Sequence, residues 1–172
     1  MVKYKLGTIE EHHVEFIRRM RNEQMSILRQ FKPIDYNEQK EYFSNIHKDN
    51  RQILFSILDV NSEERCIGYC GLTNINYVCG TAEVSFITEE TDDLESYKSI
   101  FFFVLGELAK YAFDSLNLNK LFTETYDFRD NHISVLESFG MLREGVLREH
   151  AYHAGKYHAS IIHSILEREY DR

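Results

Sequence analysis

The sequence predicts a mixed α/β fold of the α+β kind, in which helices flank both faces of a mostly antiparallel central sheet. The segment Thr81–Thr88 alternates apolar and polar residues, as a half-buried strand does. From about Ser96 to Leu116, apolar residues recur at steps of three and four, which is typical of a long amphipathic helix. Shorter strand-like and helical segments, separated by polar turns, lie on both sides of this central strand and helix.

The first half of the chain predicts a strand, two helices and three further strands. Val14, Ile17 and Met20 line the apolar face of the first helix, which opens at Thr8 or Glu10. The predicted strands are Val2–Gly7, Gln52–Val60, Arg65–Asn76 and Ala82–Thr88, and the second helix is Glu38–His47, capped by Asp35 or Asn37.

After the long helix, the sequence predicts a strand at Leu121–Tyr126 and a short helix at His132–Phe139. Gly140 follows this helix, where a glycine commonly ends a helix in a left-handed conformation. The last predicted strands, Gly145–His153 and Tyr157–Glu167, form a hairpin.

Composition limits the classes of partner. The chain has 172 residues, which is enough for one well-buried domain spanning 1–172 and too few for two ordinary ones. A formal net charge of -8 argues against nucleic acid or an anionic membrane as partner, because both attract basic surfaces. No apolar run approaches the ~18 residues of a membrane span, and no signal-peptide core is present. A cytoplasmic location is therefore expected.

The third predicted strand carries small residues in its interior. Gly68 and Gly71 indicate a bulge or a close approach of another backbone. Cys66 and Cys70 share strand parity, which predicts small buried apolar side chains rather than a disulfide.

Four histidines near the end of the chain do not form a metal-ligand pattern. His150 and His153 have opposite strand parity, and so have His158 and His163, so that no sheet face collects three ligands. The prediction is therefore no metal site, with His153 or His158 as a candidate proton carrier at the mouth of a site.

The predicted order of elements resembles that of the GNAT superfamily of N-acetyltransferases, which transfer an acetyl group from acetyl-CoA to an amine. Ile67–Ile75 and Ala82–Ile87 are similar to the third and fourth strands of that family. Leu136–Arg148 looks like its "LEKxGF-xxEG-xxR" segment, with Met141 in place of Phe. The closing hairpin resembles the ribosomal-protein N-acetyltransferase branch.

The front of the chain is similar to N-acetyltransferases that act on nucleotide-linked aminosugars. The likeness lies in Arg21-Asn22, the irregular stretch that follows, and the helix from Glu38 to Phe43. It implies a small-molecule amine substrate, and the residues expected to contact it are Arg21, Asn22, Arg29 and Tyr36.

The resemblance also implies acetyl-CoA as co-substrate. Its expected contacts are Ser85, Phe86, Ile87, Thr88, Ser96, Lys98, Ser99 and Asn131. The family's Gln/Arg-x-x-Gly-x-Gly/Ala signature falls on Ser96, Ser99 and Phe101, without a glycine or a leading basic residue. Glycines let the backbone approach the diphosphate, and the acidic run Glu89–Glu95 would repel it.

Acetyl transfer to an amine needs a base and an acid. Glu83 is the candidate base, acting through water, and Tyr126 is the candidate acid. The family's Asn is matched by Asn131, or by Arg129 in an ungapped alignment, and its thiolate-protonating Tyr falls on Leu136.

The predicted function is N-acetyl transfer to a small primary amine, with a nucleotide-linked aminosugar as the first candidate. Two alternatives remain open. One is a GNAT-like fold with altered or lost CoA binding that serves as a binding or assembly module, with homodimerisation through the last hairpin. The other is Nα-acetylation of a protein terminus.

Overall fold

The helices and strands follow one another in the order that the sequence predicts. The computed structural model describes residues 3–91 and 93–170, and within them seven strands and four α-helices are present. Their bounds are β1 Tyr4–Gly7, α1 Val14–Glu23, α2 Tyr36–Asn45, β2 Ile53–Asp59, β3 Arg65–Asn76, β4 Thr81–Thr88, α3 Leu94–Lys110, β5 Lys120–Tyr126, α4 Asp130–Phe139, β6 Leu142–His153 and β7 Lys156–Leu166.

The described strands form one mixed sheet in the order β1-β2-β3-β4-β5-β7-β6. Strands β4 and β5 are parallel, whereas β1–β2, β2–β3, β5–β7 and β6–β7 pair antiparallel. A mostly antiparallel sheet combined with α-helices confirms the predicted fold class. None of the helices in the described part of the chain is long and apolar enough to cross a membrane.

The described residues divide into two compact units. One contains residues 3–73 and 85–91, and the other contains residues 74–84 and 93–170. In the first unit, α1 buries Val14, Ile17 and Met20, the three residues that its sequence pattern predicts. They share a hydrophobic cluster with Phe43 of α2, Leu58 of β2, Tyr69 of β3 and Ile87 of β4.

The second unit contains α3, α4 and the strands β5, β6 and β7. Helix α3 buries Phe101, Val104, Leu105 and Leu108 at the predicted helical steps, and it continues into a turn of π-helix at Tyr111–Ser115. Gly140 ends α4 with a φ of 105°, which confirms the predicted left-handed cap.

Several predicted bounds are wrong at helix ends, where side-chain caps decide the first turn. Asp35 and Glu38 form a capping box, so α2 begins at Tyr36 rather than Glu38. It ends at Asn45 instead of His47, and a 3-10 turn follows. Asp93 caps α3, which therefore begins before the predicted Ser96.

Other differences are smaller. Helix α4 begins two residues before the predicted His132, β6 begins before the predicted Gly145, and β7 spans Lys156–Leu166 rather than Tyr157–Glu167. Val2, which was included in the predicted first strand, lies outside the described residues.

Cysteines and glycines of β3 lie as predicted. Cys66 and Cys70 are free and buried. At Gly68 an added Cβ would lie 2.3 Å from the carbonyl oxygen of Ile87 and 2.8 Å from Cα of Thr88. The prediction of a close backbone approach is therefore confirmed, and this approach fixes the C-terminal half of β4 against β3.

We expect Gly68→Ala to lower the free energy of unfolding by roughly 1–3 kcal/mol, because the methyl group would overlap the backbone of β4. Urea unfolding measures the difference. Gly145→Ala is the matched control: it lies in β6 with no heavy atom within 4 Å of the added Cβ, so its stability should stay within about 0.5 kcal/mol of the wild type. Equal effects of the two substitutions would contradict the packing described for β3.

Candidate functional site

The candidate base Glu83 is buried on β4. Its side chain is 4% exposed, and its Oε2 accepts a hydrogen bond of 2.6 Å from Nδ2 of Asn74. Glu83 is therefore not an exposed carboxylate on the outer face of a strand. Asn74 has a positive φ of 49°, a left-handed conformation that asparagine tolerates better than most residues. Asn74 adopts this conformation within β3 while its side-chain amide is bonded to the Glu83 carboxylate.

A second carboxylate lies on the same face of the sheet as Glu83. Glu83 pairs in parallel with Phe122 of β5, so Glu124, two residues further on, is its diagonal neighbour. Glu124 Oε1 lies 3.3 Å from Nε2 of His150 in β6, and the Glu124 side chain is 13% exposed. Sequence reasoning missed Glu124, although the parity of a parallel β4–β5 pair would have indicated it.

Tyr126, the candidate acid, shares this face but lies further along β5. It is four residues beyond Phe122, which places its Cα about 13 Å from that of Phe122 along the strand. Its ring centroid is 5.5 Å from that of Phe128. The candidate base and acid therefore share a sheet face, with Glu124 between them along β5.

A hydrogen-bonded pair of an aspartate and a histidine follows directly after Tyr126. Nδ1 of His158 lies 2.7 Å from Oδ1 of Asp127, whose Oδ2 accepts a hydrogen bond from the amide of Ala159. That amide, and then His158, hold the pKa of Asp127 below its usual range. His158 was singled out from the sequence as a proton carrier, but its partner Asp127 was not. The β5–β7 register brings the two together.

The C-terminal half of β4 holds the strand residues predicted to contact acetyl-CoA. Ser85 and Phe86 are half-buried, whereas Ile87 and Thr88 are buried. Thr88 Oγ1 donates to the carbonyl of Ile67, and the Thr88 carbonyl accepts from Nε2 of Gln24. Strand β4 pairs in parallel with β5 over Thr81–Glu83, at its other end.

The start of α3 holds the predicted contacts Ser96, Lys98 and Ser99. The carboxylate of Asp93 caps the helix: it accepts hydrogen bonds from the amide of Glu95 at 3.1 Å and from Oγ of Ser96 at 2.6 Å. Lys98 Nζ lies 5.3 Å from the ring centroid of Phe102, and Ser99 is exposed.

These residues do not fit the diphosphate of acetyl-CoA as the family's glycine-rich signature does. That signature relies on amides open to an anion and on backbone without side-chain obstruction. Here a carboxylate already accepts the Glu95 amide, Glu95 adds a second acid, and Phe101 is 1% exposed within the second turn.

An aromatic and polar cluster ties α3 to α4. The Tyr97 hydroxyl and Nδ1 of His132 are 2.6 Å apart, and the Phe101 ring meets the His132 ring edge-on at 4.7 Å. Burial lowers the pKa of His132 well below its ordinary value, and burial raises the pKa of Tyr97. The Arg129 side chain hydrogen-bonds with Tyr97, and burial lowers the pKa of its guanidinium.

Asn131, the remaining predicted cofactor contact, is exposed in the first turn of α4. Leu136 occupies the position of the family's acidic tyrosine and is fully buried. His132 lies four residues earlier and hence on the same helix face. Sequence reasoning missed His132 and Tyr97, because their contact joins residues that lie 35 positions apart on two different helices.

The predicted substrate contacts lie in the first unit. Asn22 organises the connection between α1 and α2: its side chain bonds both the amide and the carbonyl of Ile34, and it accepts a hydrogen bond from Gln30. Arg21 donates to Oε1 of Gln39, while Arg29 and Tyr36 are exposed.

A small acidic pocket opens in the same unit, with a volume of about 180 Å³. It is lined by Phe16, Arg19, Met20, Glu23, Gln24, Glu89 and Glu90. Arg65 already forms a two-pronged ion pair with Glu89. Among the described residues, no group of three or more His, Cys, Asp or Glu side chains is placed to hold a metal ion.

The chain matches the family model described as "Acetyltransferase (GNAT) domain" over residues 6–162. It therefore belongs to the GNAT family of acetyltransferases, whose members are acetyl-CoA-dependent enzymes. Acetyltransferase PseH of Campylobacter jejuni is 27% identical over 134 residues, which cover 77% of this chain and 78% of that protein.

Solved structures agree on the fold. A spermidine N-acetyltransferase from Vibrio cholerae in complex with CoA and spermine superposes with a TM-score of 0.85 at 24% identity, covering 97% of each chain. A dodecameric structure of spermidine N-acetyltransferase from Vibrio cholerae has a TM-score of 0.79 at 24% identity, covering 96% of this chain and 94% of that one. These likenesses establish the GNAT fold for the chain.

The buried His132 should make stability depend on pH. Because burial lowers its pKa, the unfolded chain takes up the proton more readily than the folded chain. The stability that comes from keeping His132 neutral is therefore fully present when the pH is above 6.5, the ordinary pKa of histidine. It is lost as the pH falls below that value. We expect the free energy of unfolding to fall by up to about 1.4 kcal/mol per pH unit below pH 6 through this group.

Urea unfolding between pH 5 and 8 tests the expectation. His132→Gln should reduce that slope, and the remainder comes from groups such as His13, whose pKa burial also lowers. His12→Gln should retain the full slope, because the His12 side chain is 70% exposed. A wild-type slope unchanged by His132→Gln would contradict the assignment.

Proposed function

We propose that this chain acetylates a small primary amine with acetyl-CoA as donor, and that the family match marks one catalytic domain. The observation that carries the proposal is the pair of carboxylates on one face of β4 and β5. An ammonium substrate must bind as a cation and lose a proton before it attacks a thioester. The diagonal neighbours Glu83 and Glu124 together can bind the cation and remove its proton.

In this proposal the two carboxylates have different tasks. Glu83 takes the ammonium proton through a water molecule, and the hydrogen bond from Asn74 fixes the direction of its carboxylate. Glu124, held beside His150, attracts the substrate ammonium. The backbone of Ser85–Thr88 supplies hydrogen bonds to the donor's arm, and Tyr126 supplies a proton to the leaving sulfur.

A nucleotide-linked aminosugar is the first candidate for the amine. The resemblance to acetyltransferase PseH supports it. So does the connection between α1 and α2, which Asn22 braces through Ile34 and Gln30. This connection carries the exposed Arg29, and the exposed Tyr36 follows at the start of α2. A guanidinium and an aromatic ring suit a phosphate and a planar base.

A polyamine is the second candidate, favoured by the acidic pocket beside Glu23, Glu89 and Glu90. Carboxylates attract the several ammonium groups of such a chain. The solved relatives include a spermidine N-acetyltransferase with spermine bound, although at 24% identity this likeness supports the fold alone.

We expect Glu83→Gln to lower kcat by at least about 100-fold, because the substitution removes a general base. CoA affinity should stay unchanged. Glu124→Gln should instead raise KM for the amine about tenfold, with a smaller change in kcat. Steady-state kinetics with calorimetry of CoA binding measure these quantities.

Glu63→Gln is the charge-matched control, since Glu63 is exposed in the turn between β2 and β3, and it should behave as wild type. Normal turnover in Glu83→Gln would exclude Glu83 as the base.

We also propose a homodimer formed through the β6–β7 hairpin. β6 is the last strand in the sheet order and is mostly exposed, and the hairpin exposes Leu142, Val146, Tyr152 and Tyr157. Proteins usually cover or charge such an edge, and a second copy would cover it.

Sedimentation should therefore give a dimer for the wild type and a monomer for Leu142→Lys combined with Val146→Lys. Val78→Lys, in an exposed turn, should remain dimeric. A monomeric wild type at 100 µM (about the upper range of such measurements) would rule the dimer out.

A further inference from the structure

We infer that the acyl donor is recognised through its acetyl-pantetheine arm, and that α3 does not bind its 3′-phosphoadenosine diphosphate end. This inference rests on the proposed acetyltransferase function and specifies which part of the donor the chain binds. It follows from the side chains that occupy the start of α3.

The N-terminal end of α3 is already capped by a carboxylate of the chain itself. Asp93 caps the helix, and its two carboxylate oxygens accept from the Glu95 amide and the Ser96 hydroxyl. A helix N-terminus attracts anions through its free amides and its dipole, and here the Asp93 carboxylate takes the Glu95 amide, one of the groups that a phosphate would use. A diphosphate would have to displace Asp93.

The charges near this helix end would oppose such a displacement. Glu95 stands in the first turn, and its acid adds to that of Asp93. The nearest lysine on the helix, Lys98, has its ammonium against the ring of Phe102 in the following turn. Each like-charge contact weakens the binding of an anion several-fold near a surface.

The second turn of α3 is closed by side chains. Phe101 is 1% exposed and packs edge-on against His132, and the Tyr97 hydroxyl lies 2.6 Å from the same imidazole. Arg129, a cation close to this turn, is half-buried and hydrogen-bonds with Tyr97. Phe101, which stands in place of one of the family's glycines, is therefore packed against α4, and this turn lacks the bare glycine backbone of the family's signature.

Calorimetry with three ligands tests the inference on the intact wild-type chain: CoA, pantetheine, and adenosine 3′,5′-bisphosphate. We expect CoA and pantetheine to bind with Kd values within about threefold of each other, because the nucleotide end adds few favourable contacts. Adenosine 3′,5′-bisphosphate should not bind at millimolar concentration.

A double variant tests the same inference by removing the charges that oppose the diphosphate. Asp93→Ser with Glu95→Gln keeps a capping side chain and removes two negative charges. It should tighten CoA binding about tenfold and leave pantetheine binding unchanged. Glu107→Gln with Asp114→Asn is the control, since it removes two exposed charges far along the same helix and its following turn, and it should change neither affinity.

CoA binding at least 30-fold tighter than pantetheine in the wild type, together with binding of adenosine 3′,5′-bisphosphate, would overturn this inference and leave the acetyltransferase proposal intact. Binding of neither CoA nor pantetheine would contradict the acetyltransferase proposal and this inference with it.

Discussion

A buried carboxylate needs a hydrogen-bond donor, and β3 and β4 meet that need at Glu83. Leaving such a group without a partner would cost several kcal/mol. Asn74 supplies the donor by adopting a left-handed conformation inside a strand, which most residues would avoid. Towards the C-terminal end of β4, Gly68 lets the backbone of Ile87 and Thr88 approach β3 closely. The catalytic proposal depends on both features, because they fix the direction of Glu83 and the course of β4.

The structure fits the acceptor half of the proposed reaction better than it fits the donor half. On the acceptor side, Glu83, Glu124 and Tyr126 share one sheet face by register, which suits the binding and deprotonation of an ammonium group. On the donor side, the carboxylate of Asp93 already caps the start of α3, where a diphosphate would bind in the family. We therefore propose a GNAT fold in which β4 holds the thioester arm, whereas the start of α3 departs from the family's diphosphate-binding signature. We expect this difference to appear in donor affinity rather than in the fold.

Much of the fold could be predicted because local patterns determine it. The alternation in β3, the helical steps in α3 and Gly140 after α4 each act within a few residues. Helix starts were less predictable, since a cap such as Asp35 competes with nearby residues of the same type. Contacts between distant segments could not be predicted. His132 with Tyr97 and Asp127 with His158 depend on packing and strand register, which a single sequence does not specify.

The central claim is that the chain transfers acetyl groups to a small amine. The most direct measurement is mass spectrometry of a reaction that contains acetyl-CoA labelled in its acetyl group and one candidate acceptor. The acceptors would be nucleotide-linked aminosugars that differ in the position of the amine, spermidine, and a peptide with a free N-terminus. We expect a labelled N-acetyl group on at least one aminosugar, with much slower labelling of spermidine and the peptide. Labelling of the peptide alone, or of no acceptor at all, would contradict it.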